Sequence, residues 1–163
     1  MLSQKLLYRT STAVPCDFHI TDFVQYECLD KPWSTSTAAE SELMARLRHE
    51  QSRETFKPYS CGIEDLQDIK LLESRQRLGM GAVSSIAFAM KTNQAVITDD
   101  QRARRLATES SHARTQITPH LLTWLLFWSW LGDSDAEAVI SENTAMSLPL
   151  AKHFARVYHM ALE

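Results

Sequence analysis

Apolar residues recur along this chain mainly at helical spacing, interrupted by four short runs that read as strands. The first run, Ala13 to Ile20, sets Val14, Phe18 and Ile20 among polar neighbours, and Pro15 suits only an edge or the beginning of a strand. Thr21-Asp22 is a cap-type pair and predicts a helix over Thr21 to Leu29, stopped by Lys31-Pro32. Glu27 therefore falls on a short helix. Glu40 to Glu54 alternates acids and bases around Leu43, Met44 and Leu47, which predicts an exposed helix held by one narrow stripe.

Lys57 to Cys61 reads as a second strand, and Gly62 to Leu66 opens a helix carrying Leu66, Ile69, Leu72 and Arg75 or Gln76 at the 3.6 period. Gly79 and Gly81 interrupt it. From Ala82 to Met90 small and apolar residues occupy every side, so this helix is expected to be buried, with Ser84 and Ser85 its polar side chains. Asn93 marks a turn. Ala95 to Thr98 reads as a buried strand closed by Asp99-Asp100, followed by a helix with Ala103, Leu106 and Ala107 inward and Arg102, Arg104 and Arg105 outward. Ala113 to Ile117 is the last expected strand.

Thr118 caps and Pro119 starts a helix that Gly132 is expected to end. Trp124, Phe127, Trp128 and Leu131 share one face of it, with Leu126 and Trp130 lying away from that face. This predicts burial on both sides, the opposite face meeting a partner subunit in a homo-oligomer. Asp135 to Met146 and Leu148 to Leu162 read as a closing pair, the second with Leu150, Phe154, Val157 and Ala161 inward. The pattern shows no repeat and no linker. We expect one helix-rich α/β domain over residues 1–163, with C-terminal helices from about 119 to 162.

Composition agrees with a packed domain: of 163 residues, 44% are hydrophobic and four are Trp. The net charge of -3 gives no global field for a polyanion, so any nucleic-acid contact must be a local patch. Cys16, Cys28 and Cys61 are an odd, widely spaced set without a C-x-x-C pair, which excludes a disulfide framework or zinc knuckle and implies a reducing, cytoplasmic setting. The richest apolar run, Leu121 to Leu131, is broken by Thr123 and Ser129 and is shorter than the ~20 residues of a membrane span, so no membrane partner is expected.

The most informative acids are Asp99 and Asp100, which follow directly on an apolar strand, where open α/β sheets bind their ligands. Carboxylates there suit Mg²⁺ or Mn²⁺, which take one or two of them and complete their shell with water and phosphate oxygens. Alternatively, one Asp caps the following helix and the other is solvated; position alone favours this reading.

Gly81-Ala82-Val83-Ser84-Ser85-Ile86-Ala87-Phe88-Ala89, then Ala95-Val96-Ile97-Thr98-Asp99-Asp100 and Ala103-Arg104-Arg105-Leu106-Ala107, resembles the C-terminal half of PIN domains. His19-Ile20-Thr21-Asp22-Phe23-Val24-Gln25-Tyr26-Glu27 looks like that family's second strand and its V-x-x-E helix, so the resemblance covers most of residues 13 to 117. It implies a three-layer α/β/α sandwich with a short parallel sheet. It also implies relation to metal-dependent endoribonucleases, among them the toxins of bacterial toxin-antitoxin pairs, and hence single-stranded RNA and a cognate antitoxin-like protein as partners. On the resemblance, Glu27, Asp99 and Asp100 are the catalytic acids, and Glu27 and Asp100 the ligands of Mg²⁺ or Mn²⁺. Two further acids of the family are missing. The segment before Ala13 is too short for the family's first strand and helix and holds no acid, and Gly81-Ala82 stands where relatives carry Gly-Glu. The implied metal pocket is depleted, and the implied activity weak or lost.

Between residues 75 and 105, Arg75, Arg77, Lys91, Arg102, Arg104 and Arg105 face only Asp99 and Asp100 in the count of charges. Lys91, Arg102, Arg104 and Arg105 are therefore the candidate nucleic-acid contacts, although intrahelical pairing produces the same pattern. Gly79-Met80-Gly81 is neither a Walker loop nor a dinucleotide fingerprint and reads as helix punctuation. The six histidines are scattered without ligand spacing, and no G-x-S-x-G elbow is present, so covalent catalysis is unsupported. Two functions follow as expectations: an RNA-cleaving enzyme with an incomplete acidic site, or a non-catalytic nucleic-acid- or protein-binding module of the same fold.

Overall fold

A computed structural model describes residues 5–31, 37–67, 77–110 and 114–162. In chain order the elements are α1 (Lys5–Ala13), β1 (Phe18–Thr21), α2 (Asp22–Gln25) widening into a π turn (Tyr26–Asp30), α3 (Ala38–Ser52), β2 (Phe56–Tyr59) and α4 (63–67). They continue as α5 (Met80–Thr92), β3 (Val96–Ile97), α6 (Gln101–Glu109), β4 (Thr115–Gln116), α7 (Thr118–Phe127), α8 (Asp133–Ala145) and α9 (Ala151–Leu162). This is a helix-rich α/β fold. The expected continuation of α4 through Ile69, Leu72 and Arg75 or Gln76 lies outside the described residues, as do His112 and Ala113.

The strands pair in parallel, as the resemblance implies, and among the described residues they form two separate two-stranded sheets. β1 runs beside β2 from Phe18 opposite Phe56 to Thr21 opposite Tyr59. β3 runs beside β4, Val96 opposite Thr115, with α6 as the crossover that parallel pairing requires. The expected strand from Ala13 begins only at Phe18, because Lys5 to Ala13 is helical; no element was anticipated before Ala13. Tyr8, Ser11 and Val14 are buried from that segment.

Two compact units divide the chain. One is drawn from Met1–Asp17, Ser36–Arg53 and Thr118–Glu163, the other from Phe18–Thr35 and Glu54–Ile117. The second is built on α5, whose Val83, Ile86 and Ala87 pack with Leu66 of α4 and with Ala103, Leu106 and Ala107 of α6. The burial expected from Ala82 to Met90 holds for Val83, Ser84 and Ile86 to Ala89, while Ala82 and Ser85 are half-buried and Met90 is exposed. The first unit centres on Leu122, Leu125, Leu131, Val139 and Phe154, with Leu150 and Val157 against them. The stripe expected on the last helix is thus the one that faces inward, and α3, exposed as expected, buries only Leu47.

The aromatic helix departs from expectation. Trp124, Phe127, Trp128 and Trp130 are exposed, Phe127 by 78%, while Leu122, Leu125 and Leu131 are buried. The helix also ends early. Ser129 turns into the left-handed region at φ 57°, and the N–H groups of Ser129 and Trp130 donate back to the carbonyls of Leu126 (2.9 Å) and Leu125 (2.9 Å). This Schellman closure stops α7 before Gly132: Trp128 still donates to the Trp124 carbonyl (3.1 Å) and stays on its exposed face, whereas Leu131, beyond the turn, is buried. Asn93 and Ser147 close α5 and α8 in the same way. Gly132 instead precedes α8, its N–H donating to Asp135 (2.9 Å).

Replacing Phe154, which is fully buried, by Ala is expected to destabilise the protein by about 3–5 kcal/mol in denaturant unfolding. Phe127→Ser is expected to stay within about 0.5 kcal/mol of the parent. A large loss from Phe127→Ser would show that this aromatic face is covered.

Candidate functional site

Helix α5 starts at Gly79, an N-cap without a side chain, so its first N–H groups need an acceptor from elsewhere. Glu27 supplies it. The half-buried carboxylate on the π turn accepts from the Gly81 N–H at 3.0 Å, across 54 positions of sequence. A negative group at this end is also favoured by the helix dipole. Two glycines make the approach feasible: a Cβ at Gly79 would lie 2.8 Å from Glu27 Oε1, and one at Gly81 would lie 2.5 Å from Oε2 and 3.2 Å from Val24 Cγ2.

Beside this contact runs a buried hydroxyl chain. Ser84 Oγ donates to the Gly81 carbonyl at 3.0 Å, so its 2.7 Å bond to Thr21 is one in which the Thr21 hydroxyl donates. Thr21 Oγ1 also accepts from the Val24 N–H at 3.3 Å and so caps α2. The end of β1, the start of α2 and the first turn of α5 are thereby tied at one place.

Asp100 occupies the N-cap of α6, its Oδ1 accepting from the N–H groups of Arg102 (2.7 Å) and Ala103 (3.3 Å). This is the capping role that its position favoured. Asp99 is exposed beside it. Glu27 thus serves the N-terminus of α5 and Asp100 that of α6. Among the described residues no three His, Cys, Asp or Glu side chains gather closely enough to hold a metal ion.

The basic candidates divide. Arg102 and Arg105 are exposed three residues apart on one face of α6, whereas Arg104 is half-buried and its Nε has no hydrogen-bond partner among the described residues. Lys91 is engaged: its Nζ is 2.7 Å from Asp65 Oδ1 and 5.8 Å from the centre of the Tyr59 ring. Asp65 Oδ2 accepts from the Tyr59 hydroxyl (3.1 Å) and the Gly62 N–H (3.0 Å). The Lys91 contact first, then the Gly62 N–H, holds the Asp65 carboxyl below its ordinary range, and the same pairing holds Lys91 above the usual ammonium range. The three thiols are unpaired and poorly suited to nucleophilic work, since burial raises all of them, and Cys61, near Asp65 and Asp22, is pushed up to about 11.

The sequence reading named Glu27 but missed its partner. The available signal was a pair of glycines opening a helix that has no Ser, Thr, Asp or Asn at its N-cap. Asp22, predicted only as part of a cap, also reaches distant donors. It accepts from the Phe23 N–H (2.9 Å), the Cys61 N–H (3.3 Å) and the Ser60 hydroxyl (3.1 Å), joining the start of α2 to the turn after β2.

Glu27→Ala and Gly81→Ala are each expected to cost about 1–2 kcal/mol in urea unfolding, by the scale of lost caps. The double variant should cost clearly less than their sum, because removing the carboxylate also removes the clash with the new Cβ. Strict additivity would disprove the contact. Asp65→Asn should lower Tm at neutral pH. The depressed Asp65 stabilises the fold above its ordinary range and loses this effect as pH falls through the lowered value, so parent and variant should converge at acid pH once Asp65 is protonated. No family model, curated protein or solved structure matches this chain, so its function is read from this geometry.

Proposed function

We propose that this chain is a non-catalytic binding module on a PIN-like frame, related to divalent-metal-dependent endoribonucleases, which holds single-stranded RNA by its phosphates through Arg102 and Arg105. The observation that carries the reading is the use of the implied metal ligands as helix caps: Glu27 on the Gly81 N–H and Asp100 on the N–H groups of Arg102 and Ala103. A carboxylate engaged in this way holds a helix start and contributes to stability. Removing its charge would lower stability before it altered any chemistry.

Arg102 and Arg105 remain as exposed guanidinium groups of a kind suited to phosphate oxygens. Lys91 plays no part, being paired with Asp65. Binding through phosphates needs no metal and reads little sequence, and it weakens steeply with salt.

The test uses a fluorescent 20-nucleotide oligouridylate in EDTA, followed by anisotropy. Saturable binding is expected, weakened about tenfold by Arg102→Glu combined with Arg105→Glu, with no cleavage when Mn²⁺ is added. No binding, or binding indifferent to the two arginines, would reject the proposal. Cleavage that requires Mn²⁺ and disappears in EDTA and in Asp100→Asn would replace it by the endoribonuclease reading.

A further inference from the structure

The second notable surface lies in the other unit. A cleft of about 260 Å³ opens between α1 and α3, where two facing helices would ordinarily present apolar side chains. Lys5 and Arg9 line it from α1, and Arg46, His49 and Arg53 from α3. These positions recur at helical spacing, so each helix turns a basic stripe toward the same space. Glu50 is the one acid in the lining, and the buried Tyr8 hydroxyl donates to its Oε2 at 3.3 Å. A chain of net charge -3 therefore concentrates four permanent cations around one small volume.

The cleft is also built rather than merely charged. Glu142 of α8 accepts from the Lys5 backbone N–H (2.5 Å) and from Arg46 Nη1 (3.0 Å), so one carboxylate ties the first turn of α1 to α3. Glu42 takes the other side of the Arg46 guanidinium at 2.6 Å. Arg46 is thus a fixed strut. Arg9 and Arg53 are exposed and make no ion pair with any described acid.

We propose that this cleft binds a short polyphosphate, free or as the tail of a nucleotide. A compact, multiply charged anion suits a volume of this size. Two guanidinium groups from opposite walls give it the forked, charge-assisted hydrogen bonds that phosphate oxygens favour. His49 adds a ring N–H donor to the same lining.

Isothermal titration of the full chain with tripolyphosphate and with ATP, at about 150 mM salt, tests the assignment. Saturable binding is expected for both, weakened at least about tenfold by Arg9→Ala combined with Arg53→Ala, while Tm without ligand stays at the parent value. Equal affinities identify the phosphate tail as the whole ligand, and tighter ATP binding adds the nucleoside; both support the site. Arg102→Ala with Arg105→Ala should leave the titration unchanged, which separates this cleft from the RNA contact proposed above. Absence of saturable binding, or binding insensitive to Arg9 and Arg53, would overturn it.

Discussion

The first turn of α5 presents backbone N–H groups to a partly covered environment, and its own N-cap, Gly79, has no side chain to receive them. Leaving such donors unpaired costs about 1–3 kcal/mol each, a considerable part of a small domain's net stability. The Glu27 carboxylate meets that demand from the far end of α2. Much of the second unit follows from this contact. It fixes the entry of the helix on which Val83, Ile86 and Ala87 organise the core, and it places Ser84 to link with Thr21 at the end of β1. The glycines at 79 and 81 belong to the same arrangement, since any side chain there would occupy the space of the carboxylate.

The same use of acids recurs through this unit. Asp22, Glu27, Asp65 and Asp100 each accept from at least one backbone N–H at a turn or helix start. An acid placed in this manner rigidifies the chain, and its lone pairs are directed at protein donors. This is a different task from gathering several carboxylates around one cation, where mutual repulsion is balanced by the metal charge. Glu27 and Asp100 therefore serve folding, each at a helix start.

Charge of the opposite sign is handled alike in the two units. Lys91 is held by Asp65 and lies near the Tyr59 ring, and Arg46 is held by Glu42 and Glu142. Both are structural cations. Arg102 and Arg105 on α6, and Arg9 and Arg53 around the α1–α3 cleft, are exposed, and they carry the two anion contacts proposed above.

By itself the sequence determined whatever can be satisfied within about one helical turn. The Asp100 cap, the Thr21 cap, the turn at Asn93, the buried α5 and the inner stripe of α9 were all legible because donor, acceptor and apolar neighbour lie three or four residues apart. Ser129 shows the limit even locally: a left-handed C-terminal residue that is not glycine carries little signal, so the sequence placed the end of α7 at Gly132 and Leu131 on the face of Trp124. Tertiary structure decided the rest. The meeting of Glu27 with Gly81, and of Glu142 with Lys5 and Arg46, depends on chain closure over 54 to 137 residues. No local pattern specifies such partners, because they are selected by which buried donors remain to be paired once the cores have formed.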